Sequence, residues 1–213
     1  MKSLLLAFAI ALATASTSAA DGNLVTNANF NSDVSSWMAS NQFFFATWDS
    51  LDSAGLQTSG SARVTSQAVD AIPGGGLGQC VPLTPGSYEV TALYFIPSGQ
   101  NRTAAPDIAI AWFVDSSCMT SSVDSHGSPQ QSLIPQGAST TAAWLQLGDI
   151  VATPSDAMSR AIMSGRFILR PRKVEAGGSV DVLFDAVFVP EPEPAALGLA
   201  TAAALALRRW VLS

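Results

Sequence analysis

Charge is scarce in this sequence, and positive charge scarcest. Charged residues make up 12% of 213, with 10 Lys and Arg against 16 Asp and Glu, and a single histidine, His126. Without Lys2, Arg208, Arg209, Glu191 and Glu193, which lie toward the two ends, 7 basic and 14 acidic residues remain, a net charge near −7. Nucleic acid and anionic membranes take basic partners, so both are excluded as ligands of the interior. Two cysteines and one distant histidine are too few for a structural zinc site. A Ser-His-Asp triad needs three groups held by a scaffold, whereas His126 sits in Asp124-Ser125-His126-Gly127 inside a long polar stretch. The glycines of Gly74-Gly75-Gly76-Leu77-Gly78 are followed by no Lys-Ser/Thr pair and lead into a strand pattern, so they make a turn and not a phosphate loop. Long amphipathic helical patterns are missing as well. No residue pattern here calls for an enzyme.

What is present begins with the ends. Residues 1–20 have the build of a secretory signal peptide: Lys2, an apolar run over 4–13, and the small residues Ser18-Ala19-Ala20 before a mature start at Asp21. At the other end, Pro190-Glu191-Pro192-Glu193-Pro194 cannot form a packed element. Proline fixes φ and lacks an N–H, and the glutamates repel each other and hold water, so an extended, accessible segment is expected. An apolar run over 195–207 follows, then a basic tail, 208–213, opening with Arg208 and Arg209. As a helix the run is about 20 Å long against about 30 Å of hydrocarbon, so it spans only if the arginines snorkel and the bilayer thins. The positive-inside rule then leaves the tail cytoplasmic and the domain outside.

This tail resembles the PEP-CTERM sorting signal. The resemblance implies an exosortase-type processing enzyme as partner, transient inner-membrane anchoring through a short C-terminal transmembrane helix, and a cell-surface or extracellular-matrix destination after cleavage. A GPI signal, the nearer rival, ends apolar without a basic stop and lacks the Pro-Glu-Pro element.

The fold therefore lies within 21–189, one domain of ordinary size. Alternation and turn chemistry give strands throughout: 43–48, 62–65, 77–83, 88–96 with Tyr88, Val90, Ala92, Tyr94 and Ile96 on one face, then Ile108, Ile110, Trp112 and Val114 alternating. Thr84-Pro85-Gly86-Ser87 reads as a hairpin-like turn, 119–140 as a loop, and 144–147, 158–169 and 180–189 as the last strands. Many short strands with regular turns argue an all-β sandwich or jelly roll. Export places Cys80 and Cys118 in an oxidising compartment, so they are expected to be joined, tying two strands.

A second resemblance covers most of the domain. Asn23-Leu24-Val25-Thr26-Asn27-Ala28-Asn29-Phe30 with Ser36-Trp37, then Gly78-Gln79-Cys80-Val81-Pro82-Leu83 with Pro85-Gly86-Ser87-Tyr88, then Trp144, Pro154 and Leu183-Phe184-Asp185-Ala186-Val187, are similar in order and spacing to carbohydrate-binding modules of the family 4/9 type. The resemblance implies a galactose-binding-like jelly roll with Trp37 and Trp144 in the core. It also implies a structural calcium near the terminal strands. The chain departs from the family there, with Asn31 after Phe30 in place of Glu and Ala186 after Asp185 in place of a second Asp. Asp185 with Asn31 and nearby carbonyls are the calcium candidates.

Trp112 alternates with Ile108 and Ile110 and is expected in the core. Trp48, with Gln100, Asn101 and Arg102, is the candidate ligand surface, because the apolar face of a sugar stacks on an exposed ring while amides and guanidinium groups take its hydroxyls. Few charges and many hydroxyl and amide side chains favour a neutral glycan or exopolysaccharide. The same composition suits a structural matrix protein without a small ligand, and an enzyme ranks last.

Overall fold

The computed structural model describes residues 22–69, 75–134 and 143–192. Ten strands form two antiparallel five-stranded sheets. Sheet one has the order β1-β4-β9-β6-β7, with β1 Met38–Ala39, β4 Leu77–Pro82, β9 Ser164–Arg170, β6 Asp107–Phe113 and β7 Gln131–Ile134. Sheet two has the order β2-β3-β10-β5-β8, with β2 Phe44–Asp49, β3 Ser61–Ser66, β10 Val180–Phe188, β5 Ser87–Phe95 and β8 Leu145–Ala152. Among the described residues no helix is long and apolar enough to cross a membrane. The apolar run 195–207, the signal-like residues 1–20, and Arg208 and Arg209 lie outside the described residues.

The sandwich follows from period-two patterning. Tyr88, Val90, Ala92 and Tyr94 of β5 are buried while Glu89, Thr91, Leu93 and Phe95 between them are not. Ile108, Ile110 and Trp112 of β6 face Leu169, Phe167 and Gly165 of β9, and this inward face meets Val64, Val182 and Phe184 of sheet two. Each large side chain sealed here is worth about 1.5–3 kcal/mol in transfer alone. Both buried indoles use their N–H: Trp112 donates to Ser132 Oγ at 2.9 Å, and Trp37, packed on Phe30 at 5.5 Å, donates to the Asn27 carbonyl at 3.3 Å.

Several boundaries differ from the sequence expectation. β4 and β5 lie in different sheets, so Thr84–Ser87 is a crossover between layers and not a hairpin turn. The polar stretch 119–140 contains β7, whose one fully buried side chain is Ile134. Residues 158–163 precede β9 without forming a strand, and β8 runs on to Ala152. Trp144 is not core. It is half-buried against Phe95, rings 5.7 Å apart, and Phe95 is one of the half-buried, outward positions of β5.

The two ends of the domain are zipped together. Leu24 N–H donates to Val189 O at 2.8 Å, and the Asn23 side chain both donates to Val187 O at 2.8 Å and accepts from Val189 N–H at 2.9 Å. Asn23 bridges to Pro190, and Glu191 N–H donates to Gly22 O at 3.0 Å. Pro190 and Glu191 are thus paired with the start of the domain, against the expectation that the Pro/Glu segment packs on nothing. Only Glu191 is exposed; both prolines are half-buried, and Pro192 lies against Gly86, where an added Cβ would sit 3.0 Å from it.

Candidate functional site

Register lines up side chains that sequence alone does not connect. Directly opposed residues share a face, so Leu133, Ala109, Ile168, Gly78 and Met38 form one row across the outer face of sheet one. The next row is Gln131, Ala111, Arg166 and Cys80. The middle of both rows is dominated by small or flattened positions and the margins are large: Met38 is 76% exposed and Leu133 55%, whereas Ala109 is 2% and Ile168 8%. Small residues between tall margins make a trough. Over β1, β4 and β9 it encloses about 600 Å³, lined by Met38, Gly78, Cys80, Met119, Arg166 and Ile168 among others. A Cβ on Gly78 would meet Phe167 O at 3.4 Å and the Arg166 and Ile168 side chains at 3.5 Å, contact without overlap, so the backbone tolerates a side chain that would fill this space.

The Cys80–Cys118 disulfide, Cα atoms 6.0 Å apart, closes one end. It ties β4 to the loop after β6, passing over β9, instead of tying two strands as expected. Its neighbour Arg166 donates from Nη2 to Cys118 O at 3.0 Å and lies over the Phe113 ring at 5.3 Å. Asp115 flanks this end. Its exposed carboxylate is bound first by the Ser117 hydroxyl and also by the N–H groups of Ser117, Met119 and Thr120, which hold it well below the usual carboxylate range. Further along the same face the buried Asp107 accepts Arg170 Nε at 2.5 Å and Nη2 at 2.7 Å, and Arg172 Nη1 at 2.7 Å.

The expected ligand residues are not brought into one site. Trp48 is 39% exposed in the edge strand β2, and its indole N–H donates to Phe30 O at 2.7 Å. The ring lies over Gly60, where an added Cβ would come within 2.6 Å of it. Trp48 stands opposite Ala62, whereas Gln100 grips the main chain of Asp181, which stands opposite Thr65. Three residues of β3 therefore separate them, about 10 Å, along with the breadth of the strands between. Gln100, Asn101 and Arg102 form with Thr103 and Glu175 a shallow polar depression of about 400 Å³. Gln100 donates to Pro97 O and Asp181 O, and Arg102 donates to Asn101 O and Ala176 O, so these side chains fasten two loops to each other.

Of the calcium candidates, Asp185 is buried at a bulge of β10 and Asn31 is exposed. The Asp185 oxygens accept Ser53 N–H at 3.0 Å and Ala186 N–H at 2.7 Å. Burial pushes its carboxyl up, the two N–H groups oppose the rise, and the nearby Asp52 charge adds to it. Among the described residues no three acidic, histidine or cysteine side chains gather as a metal would require of them, so main-chain carbonyls would have to complete any set of six to eight oxygens. His126 sits in a tight turn with its main-chain N–H on Asp124 at 2.8 Å.

No protein-family model matches this sequence, and no curated protein does. Solved structures of similar fold exist. The C-terminal family 22 carbohydrate-binding module of Clostridium thermocellum Xyn10B aligns at TM-score 0.58 and 13% identity over 82% of this chain and 96% of its own. The xylan-binding CBM22-1 domain of Paenibacillus barcinonensis Xyn10C aligns at 0.54 and 13% over 76% and 90%. A family 16 carbohydrate-binding module aligns at 0.52 and 16% over 79% and 100%. At these identities the likeness is one of fold: a two-sheet jelly-roll β-sandwich.

Proposed function

We propose that the chain is a non-catalytic, exported polysaccharide-binding module whose ligand lies along the trough of sheet one. The observation that carries this reading is the depression of about 600 Å³ over β1, β4 and β9, where Gly78, Cys80 and Ile168 lie between the exposed Met38 and Met119, on a fold shared with modules whose names state glycan binding. A sugar chain laid there would set its apolar C–H faces on Met38, Met119 and Ile168 and its hydroxyls against Arg166, Ser36 and Ser117. Binding is modest, because hydrogen bonds exchanged with water leave about 0.5–1.5 kcal/mol each.

Calorimetry of the purified chain against a polysaccharide panel tests it. Gly78→Leu fills the trough and abolishes the heat while the fold persists. Undiminished binding by folded Gly78→Leu, with loss in Trp48→Ala, would move the site to the β2 edge, where the Trp48 ring is 39% exposed. Among the lining residues of the trough no tryptophan or tyrosine occurs, which favours the second reading, a structural matrix protein. No heat with any polymer selects that one.

Sorting belongs to the same proposal. The Pro/Glu segment, the apolar run 195–207 and the basic Arg208-Arg209 stop support processing by an exosortase-type enzyme and a surface or matrix destination. Mass spectrometry of the protein recovered from the cell exterior should find the chain ending after the Pro/Glu segment, and intact Arg208 and Arg209 there would reject it. Structural calcium at Asp185 is supported by its buried carboxyl beside Asp52. A melting temperature unchanged between calcium and chelator would reject that part.

A further inference from the structure

We propose that the trough selects an acidic polysaccharide, with the Arg166 guanidinium receiving a uronate carboxylate. This rests on the trough reading and names its ligand class. The expectation of a neutral glycan came from total charge, but the strands divide that charge unequally. Sheet two carries Asp49, Glu89, Asp149, Asp181 and Asp185 against Arg63, whereas the strands of sheet one carry Arg166 and Arg170 against Asp107, with Arg172 following. Packed sheets lie about 10 Å apart, and charges are screened over about 8 Å at physiological salt. The acids of sheet two are therefore largely screened from the trough, and the local field is set by β9, the central strand of sheet one.

Within that field Arg166 stands apart. Arg63, Arg160, Arg170 and Arg172 each pair with an aspartate, and Arg102 faces Glu175. Among the described residues Arg166 has no carboxylate within ion-pair distance. One of its N–H groups is given to Cys118 O and its plane rests over Phe113, an arrangement that holds the half-buried side chain in place and leaves donors over. A planar guanidinium held in this way matches a carboxylate through two parallel N–H bonds. Asp115, which flanks this end, already has its charge met by the Ser117 hydroxyl and three N–H groups, so it offers Arg166 little competition.

The test compares the purified full chain on polygalacturonate and on unsubstituted xylan, by calorimetry at low and physiological salt. The expected result is tighter binding to polygalacturonate, weakened by salt. Arg166→Gln should lose about tenfold to a hundredfold on the acidic polymer and several times less than that on xylan, where a hydroxyl contact goes but no ion pair, while Arg166→Lys retains part of the affinity on polygalacturonate. Circular dichroism verifies that both variants fold. If xylan binds as tightly as polygalacturonate, or folded Arg166→Gln binds polygalacturonate like the parent, the acidic assignment is overturned. Loss of xylan binding in Gly78→Leu would then leave the glycan reading standing. If neither polymer binds, the acidic assignment is overturned, and heat with another member of the polysaccharide panel would leave the glycan reading standing without it.

Discussion

Removing the Asp107 carboxylate should be the most damaging single change on sheet one that leaves the apolar core intact. Asp107 is 1% exposed and stands opposite Arg170, whose side chain is 6% exposed, with Arg172 at 15%. Three guanidinium N–H groups converge on its two oxygens at 2.5–2.7 Å. Asp107→Ala leaves Arg170 buried without an anion, in a setting where losing one partner of a buried pair costs about 3–5 kcal/mol. Whole-domain stability is of order 5–15 kcal/mol, so the variant forfeits a large share of it. At about 2–4 °C per kcal/mol for a chain of this size, melting should fall by roughly 6–20 °C. Urea titration should show a lower midpoint at unchanged slope. Asp107→Leu combined with Arg170→Met removes both ions from the interior and should recover most of the loss, since the desolvation cost disappears with them; Arg172, the more exposed cation, can turn outward. A loss below about 1 kcal/mol in the single variant, or a double variant worse than the single, would refute the view that the triad is a tightly coupled buried unit.

Reduction of Cys80–Cys118, which encloses 38 residues of sequence separation, should cost up to about 4 kcal/mol in the chain-entropy model; an unchanged urea midpoint in reductant rejects this. Trp37→Ala should cost about 3–5 kcal/mol, because the indole is 6% exposed and packed on Phe30; a cost below 1 kcal/mol would place it outside the core. Acid should destabilise the fold through Asp156, held far below the usual carboxylate range first by Arg160: its contribution is complete above about pH 4 and lost as pH falls. Asp185, pushed up by burial, works with the opposite sign, contributing below about pH 4 and losing that contribution as pH rises. Asp156→Asn should therefore flatten the acid limb of the stability profile, and an unaltered limb would contradict the assignment.

The parts of the fold legible in the sequence are those where one strand carries its own signal. Tyr88, Val90, Ala92 and Tyr94 alternate within β5, as do Ile108, Ile110 and Trp112 in β6, and all are buried. β7 was not legible, because an edge strand with one fully sealed residue, Ile134, has too little apolar surface to show a period. The position of Trp144 is not legible for a related reason: an aromatic on an outward position next to Phe95 has the same one-dimensional pattern as one in the core. The trough was invisible in sequence. Gly78 is a weak strand residue read singly, and only cross-strand register sets it between Met38 and Ile168, one row from Arg166. The only trace in the chain was the alternation Arg166, Ile168, Arg170, which the total charge count averaged away.

The ends of the domain connect the two halves of the proposal. Leu24 and Pro82 line the trough and also the smaller depression of about 400 Å³ where Glu191 and Pro192 lie, so the point at which the chain leaves the sandwich adjoins one end of the candidate binding surface. Residues 193 and 194 alone separate Pro192 from the apolar run, a reach of about 10 Å from Pro192 to Ala195 even when fully extended. A tail seated in a bilayer would therefore hold the Leu24 and Pro82 corner close to the headgroups, leaving the Leu133 side of sheet one to face outward. A long polymer running through the trough past that corner would meet the membrane surface, whereas the processed chain presents the same corner to solvent. On the sorting reading, then, cleavage of the tail does more than release the protein. It exposes the Leu24 and Pro82 corner, so that a polymer lying in the depression can extend past it without meeting the headgroups.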